Sequence, residues 1–136
     1  MVHRITAEKI AVAVKDGCAK MTWADLGKIV ARRKDISRLV AGPLKSMRAK
    51  VELLSELTRD VYKHRYQDIP IASALMVAFS LKYLLDMLDL MPDLVPGMDE
   101  SDDPAPYQDD MAVLAHVMKA TQRDIRRYSA WKKRNT

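Results

Sequence analysis

The chain has one cysteine, Cys18, among 136 residues, so no internal disulfide framework is available to it and a reducing compartment suits it. Only four glycines and one phenylalanine are present. Against an abundance of Ala, Leu, Val, Lys and Arg, with nine Met, that composition favours helices over twisted sheets. No glycine-rich phosphate loop, zinc-ligand spacing or nucleophile elbow occurs anywhere, which removes the enzyme classes that depend on them. The opening stretch MVHRITAEKI lacks the apolar core of a secretory signal, and the expected location is therefore the cytoplasm. Between residues 86 and 110 there is no Lys or Arg at all.

That last absence makes the charge pattern unusual. Residues 1 to 85 hold 16 basic and 8 acidic side chains, 86 to 110 hold 9 acidic ones, and 111 to 136 hold 7 basic and 1 acidic. A basic body surrounds one acidic segment, for a net charge of +5. Two consequences are open. The acidic segment can lie over the basic helix faces and mute them. Alternatively, the basic zones Lys28 to Lys50 and Lys119 to Arg134 meet on one side and attract phosphate. The side chains concerned are Arg32, Arg33, Lys34 and Arg38 in one zone and Lys119, Arg123, Arg126 and Arg127 in the other.

Apolar periodicity places about five helices on one domain spanning 1–136. Thr6 caps a first helix that runs to Asp16, with Gly17 ending it. Ile10, Val12 and Val14 alternate as a strand would, but no strand-like partner follows. Thr22 and Asp25 form a capping box for a helix whose stripe of Leu26, Ile29, Ile36 and Val40 ends at Gly42. A third begins at Pro43 and carries Leu44, Met47, Val51, Leu54 and Val61 as far as Tyr66. From Pro70 the run IASALMVAFSL is apolar on every side, which marks a helix buried in a bundle or lying in lipid. Lys82, Asp86 and Asp89 intrude before about 20 apolar residues have passed, so the buried reading is preferred. Pro92 ends that helix. The last runs from Gln108 to Trp131, with Met111, Leu114, Met118, Ile125 and Tyr128 on its stripe and Thr121 interrupting it.

Where the fourth helix stops, the chain reads Tyr83-Leu84-Leu85-Asp86-Met87-Leu88-Asp89-Leu90-Met91-Pro92-Asp93-Leu94-Val95-Pro96, then Gly97, and later Asp109-Asp110 before the final helix. This resembles the YkvA-like family of small bacterial proteins, whose pattern is roughly Y-L-L-S-P-x-D-L-x-P-D-x-x-P, a Gly, then D-D. The likeness covers about a third of the chain, Pro70 to Met118. Met87 stands where the family has Pro, and the stretch from Met98 to Gln108 is longer than the family's short link. The resemblance implies little about chemistry, since the family has no established activity and many members are considered membrane proteins on hydropathy alone.

The aspartates carry two readings. Asp86, Asp89 and Asp93 stand at helical spacing and, with Asp109 and Asp110, can converge as hard oxygen ligands for a divalent cation. Equally, Asp93, Asp109 and Asp110 can cap free helix amides, making a rigid Pro/Asp corner between two core helices. Capping needs no long-range convergence and is preferred; apart from that cation, no cofactor is expected. Cys18 is distant in sequence from His64 and His116, Trp23 and Trp131 read as half-buried anchors, and the methionines read as core filling. The expectation is an all-α bundle with a non-enzymatic role: an interaction module, peripheral to the membrane at its inner face, that meets an unknown protein or an anionic membrane surface. Nucleic-acid binding through the basic faces is the alternative, and a metal-dependent hydrolase using the aspartates comes third. The oligomeric state is left open.

Overall fold

Five apolar stripes become seven helices, because two of them are interrupted at a single residue. The computed structural model describes residues 7–42, 44–90 and 108–135. Its helices are α1 (Ala7–Lys20), α2 (Trp23–Ala31), α3 (Arg33–Ala41), α4 (Arg48–Tyr62), α5 (Ile71–Leu90), α6 (Gln108–Ala120) and α7 (Gln122–Arg134), with one 3-10 turn at Lys45–Met47. Among the described residues there is no strand. The protein is all-α, and among the described residues the expected count of about five helices is corrected to seven. The Pro/Asp corner, with Pro92, Asp93 and Pro96, lies outside the described residues, as does the acidic loop up to residue 107 and the Thr6 cap.

The first interruption falls at Arg32, which closes α2 and opens α3. Its N–H donates to the Ile29 carbonyl, and its own carbonyl accepts from Asp35 and Ile36. The second is at Thr121, fully buried, whose Oγ1 donates to the Val117 carbonyl at 2.6 Å. A threonine hydroxyl bonded back to residue i−4 competes with the backbone ladder and bends the helix. The polar residue that breaks the apolar stripe therefore also breaks the helix. At the start of α2 the capping box forms as expected: the Thr22 N–H donates to Asp25 Oδ2 at 2.8 Å and the Asp25 N–H to Thr22 Oγ1 at 3.3 Å.

Gly17 does not end α1, which continues to Lys20. Its role is proximity. A Cβ at that position would overlap the Phe79 ring of α5, so the missing side chain lets two helices approach closely. Gly27 serves α2 and α4 in the same way, since a Cβ there would sit 2.7 Å from the Tyr62 hydroxyl.

At the centre lies α5, packed by α1, α2, α3, α4 and α6. Ala74, Val77, Ala78, Leu81, Leu84, Leu85 and Leu88 are buried, and they surround the helix because its sequence is apolar on every side. Buried Ser80 satisfies its hydroxyl on the Val77 carbonyl at 2.6 Å. By length and composition alone Ile71–Asp89 is also apolar enough to cross a membrane. α6 lies along α5 and α1. Beyond Thr121, α7 meets α5 at Ser73, which donates to Asp124, and closes over the end of α4, so the first half of the expected last helix makes most of the pairing with the fourth one. Tyr128 is fully buried and donates its hydroxyl to Asp60 Oδ2 at 2.6 Å. Tyr66 meets the Tyr128 ring edge-on at 5.1 Å and Trp131 at 5.0 Å, and Lys132 pairs with Glu56.

Candidate functional site

The two sets of charged residues singled out in the sequence partly consume each other. Arg32 Nη1 and Nη2 donate to the two oxygens of Asp89 at 2.9 and 2.8 Å, a bidentate fork from the α2–α3 break to the last turn of α5. Its Nε donates to Asp35 at 2.9 Å. The hydrogen bonds from Arg32 hold the Asp89 carboxyl below its ordinary range, since they favour the charged form. Asp86 is engaged too, accepting from Lys82 Nζ at 2.9 Å one turn away. Both aspartates thus face cationic side chains. Among the described residues no three His, Cys, Asp or Glu side chains gather as metal ligands. Asp93 and the side chains of Asp109 and Asp110 lie outside the described residues, although Asp109 and Asp110 occupy the first turn of α6.

In the first basic zone, Arg38 approaches Asp35 at 3.5 Å, so Arg32 and Arg38 share one carboxylate and leave Arg33 and Lys34 exposed without ion pairs among the described residues. In the second, Arg127 donates to both oxygens of Asp68 at 3.1 and 3.0 Å. Lys119, Arg123 and Arg126 are exposed and form no ion pair among the described residues. Together with Ala120, Gln122, Asp124 and Arg127 they line an open polar saddle of about 700 Å³ where α6 bends into α7.

The two zones do not converge. Asp124 of α7 accepts from Ser73 Oγ at 2.6 Å near the start of α5, whereas Arg32 holds Asp89 near its end. Sixteen residues of helix separate these anchors, about 24 Å along the axis and about 160° around it. That is roughly three Debye lengths at physiological salt, so each zone acts as its own field. The alternative in which both basic zones meet on one side is not what the anchors describe: Arg32 and Asp124 are tied to opposite ends and opposite flanks of the central helix. On α7 the exposed Arg123, Arg126, Arg127, Lys133 and Arg134 fall within an arc of about 120° along about 17 Å, while Ile125 and Tyr128 face the core.

A different feature was hidden from sequence reasoning. Trp23, Leu26, Val61, His64, Tyr66, Gln67, Ile69, Ile71, Ala74 and Leu75 line an apolar cleft of about 390 Å³. Ile71 is 67% exposed and Trp23 41%, so large apolar groups stand in water at its mouth. Trp23 is stacked between Tyr62 at 5.9 Å and His64 at 5.4 Å. His64 has φ 61°, the left-handed conformation that favours glycine. It occupies the position after the α4 cap, where its N–H donates to Val61 and the Arg65 N–H to Asp60, the paired bonds of a Schellman ending. The only signal for this cleft was an isoleucine immediately after Pro70, at a helix start where polar residues are usual. Cys18 is half-buried, and burial pushes its thiol up, away from the reactive thiolate.

No family model, curated protein or solved structure matches this chain. The function must be argued from its own residues.

Proposed function

We propose that the protein is a non-enzymatic interaction module that docks on an anionic membrane surface through the cationic face of α7. The observation that carries this is the open side of the saddle: Lys119, Arg123 and Arg126 are exposed and unpaired among the described residues, and Lys133 and Arg134 extend the same charge along α7. Each such cation near an anionic leaflet contributes about 1 kcal/mol, so Lys119, Arg123, Arg126, Lys133 and Arg134 together give at most about 5 kcal/mol. That is weak, salt-reversible recruitment, the regime of a peripheral protein. Because Ile125 and Tyr128 are committed to the core, α7 lies on the headgroups without inserting. Exposed Ile71 and Trp23 stand at the same end of α5 to which Ser73 and Asp68 tie α7, and an interface of lipid headgroups accommodates such side chains where a phosphodiester backbone does not.

The second reading is nucleic-acid binding by the same face, favoured by its length and its line of arginines. The hydrolase reading has less to draw on, since Asp86 and Asp89 already neutralise Lys82 and Arg32. Kinship with the YkvA-like family belongs to the proposal as well, resting on the D-L-x-P-D run and carrying no activity with it.

Co-sedimentation with phosphatidylserine vesicles at low salt tests the membrane reading. Arg123→Ala with Arg126→Ala should remove about 2 kcal/mol, a loss of about 30-fold in vesicle affinity. Arg33→Ala with Lys34→Ala, on α3 at the far end of α5, should leave recruitment unchanged. If the α3 pair abolishes binding and the α7 pair does not, the site has been placed on the wrong helix.

A further inference from the structure

The geometry points to the apolar cleft between α2 and the start of α5 as a binding site for a small single-chain amphipathic acid, such as a medium-chain fatty acid. This uses none of the α7 cations and shares only Ile71 and Trp23 with the docking proposed above. The cleft volume of about 390 Å³ lies in the range of small-molecule sites, and its walls are Leu26, Val61, Ile69, Ala74 and Leu75. An aromatic shelf roofs one side: Trp23 is fixed between Tyr62 and His64, and Gly27 makes room for the Tyr62 hydroxyl against α2. Such a wall is prearranged, so little ordering is required on binding. The shelf also has a cost in the backbone, because His64 adopts a left-handed conformation that a β-carbon disfavours. Strain of this kind is often found at binding sites.

Charge selects the head group. The acidic side chains nearest the mouth are already engaged, Asp68 by Arg127 and Asp60 by Tyr128 and Arg65. Lys63, next to His64, is exposed and has no ion pair among the described residues, and the His64 imidazole makes no hydrogen bond among them. No Asp, Glu, Lys or Arg lines the cleft; a polar donor its lining leaves without a hydrogen bond among the described residues is the His64 imidazole, with Lys63 beside it in the chain, and an apolar body bearing a carboxylate complements that donor. A neutral alcohol of equal length would fill the cleft without using the rim.

The test is titration of the full chain carrying Trp131→Phe, which leaves Trp23 as the only tryptophan, with decanoate below its micellar concentration, followed by Trp23 emission and by calorimetry on the unmodified chain. Saturable binding is expected, about tenfold weaker for decanol, since a hydrogen bond to a charged group is worth about one decade or more. Ile71→Asp should abolish it, and because Ile71 is exposed this variant retains the fold, as its circular dichroism and melting temperature will show. His64→Asn, which tolerates the left-handed backbone, should lose the preference for decanoate over decanol. No saturable response in the submillimolar range would overturn the assignment. So would unchanged binding in Ile71→Asp, or a concentration-dependent dimer dissolved by Ile71→Asp, which would give the cleft to a second copy of the chain. Vesicle recruitment is read separately, so failure here leaves the α7 proposal standing.

Discussion

Removing one oxygen atom from Tyr128 tests how α7 is held to the bundle. Tyr128 is fully buried and its hydroxyl donates to Asp60, itself buried on α4, at 2.6 Å. Among the described residues the second carboxylate oxygen has only Arg65, at 3.7 Å. Tyr128→Phe keeps the ring contacts with Tyr66 and Trp131, so the change is almost purely the loss of a hydrogen bond to a charged acceptor. Such bonds contribute about 1.5–3 kcal/mol. With an unfolding entropy of about 2.1 cal/mol/K per residue over this length, that is a fall of about 5–10 °C in melting temperature. The alkaline limb gives an independent readout. Burial, then the hydrogen bond and charge of Asp60, pushes the Tyr128 phenol well above its ordinary value of 10.0. The folded state therefore keeps the proton that the unfolded chain releases. This contribution is fully present below about pH 10 and is lost as the pH rises above it. Tyr128→Phe should flatten that loss, leaving the smaller slope from Tyr66, whose phenol burial also raises. Thermal melts by circular dichroism between pH 7 and 11 measure both effects. A variant that melts within about 1 °C of the parent and keeps the full alkaline slope would refute the reasoning.

At acid pH the sign reverses for Asp89. Because Arg32 holds its carboxyl low, the pair stabilises above the unfolded value of 3.8 and is lost as the pH falls through the folded one; being largely exposed, it contributes under about 1 kcal/mol. Asp89→Asn should remove that acid-limb component in urea titrations from pH 2 to 6, and an unchanged limb would show the fork to be incidental. At His64, glycine should be more stable than alanine by about 1 kcal/mol, because both lose the Trp23 stacking while only glycine escapes the left-handed penalty. Chemical denaturation decides the order, and alanine equal to glycine would count against the Schellman ending of α4.

What was legible in the sequence was local. The Thr22–Asp25 box, the start of α5 after Pro70 and the buried run that follows depend on residues a few positions apart, and all form as read. The two helix breaks were visible only in part. Thr121 showed as a gap in an apolar stripe, but that its hydroxyl would take the Val117 carbonyl is a matter of rotamer and burial. Arg32 gave no sign, because its break serves a partner 57 residues away. Likewise Gly17 read as a stop when it is a close-packing site, since its reason is the Phe79 ring on another helix. α4 was read too far, to Tyr66, because its left-handed ending carries His64 where glycine would have marked it. Which of the two charge readings holds was not legible either, because the anchors of the two zones lie about 24 Å apart along α5, a separation that composition does not carry.

The most direct measurement for the α7 docking claim sets vesicles and duplex DNA side by side at about 150 mM salt. Weak recruitment to phosphatidylserine vesicles is expected, vanishing on neutral ones and falling with Arg123→Ala plus Arg126→Ala, with no submicromolar affinity for DNA or RNA. Submicromolar nucleic-acid binding at that salt, abolished by the same two substitutions while vesicles recruit nothing, would contradict it.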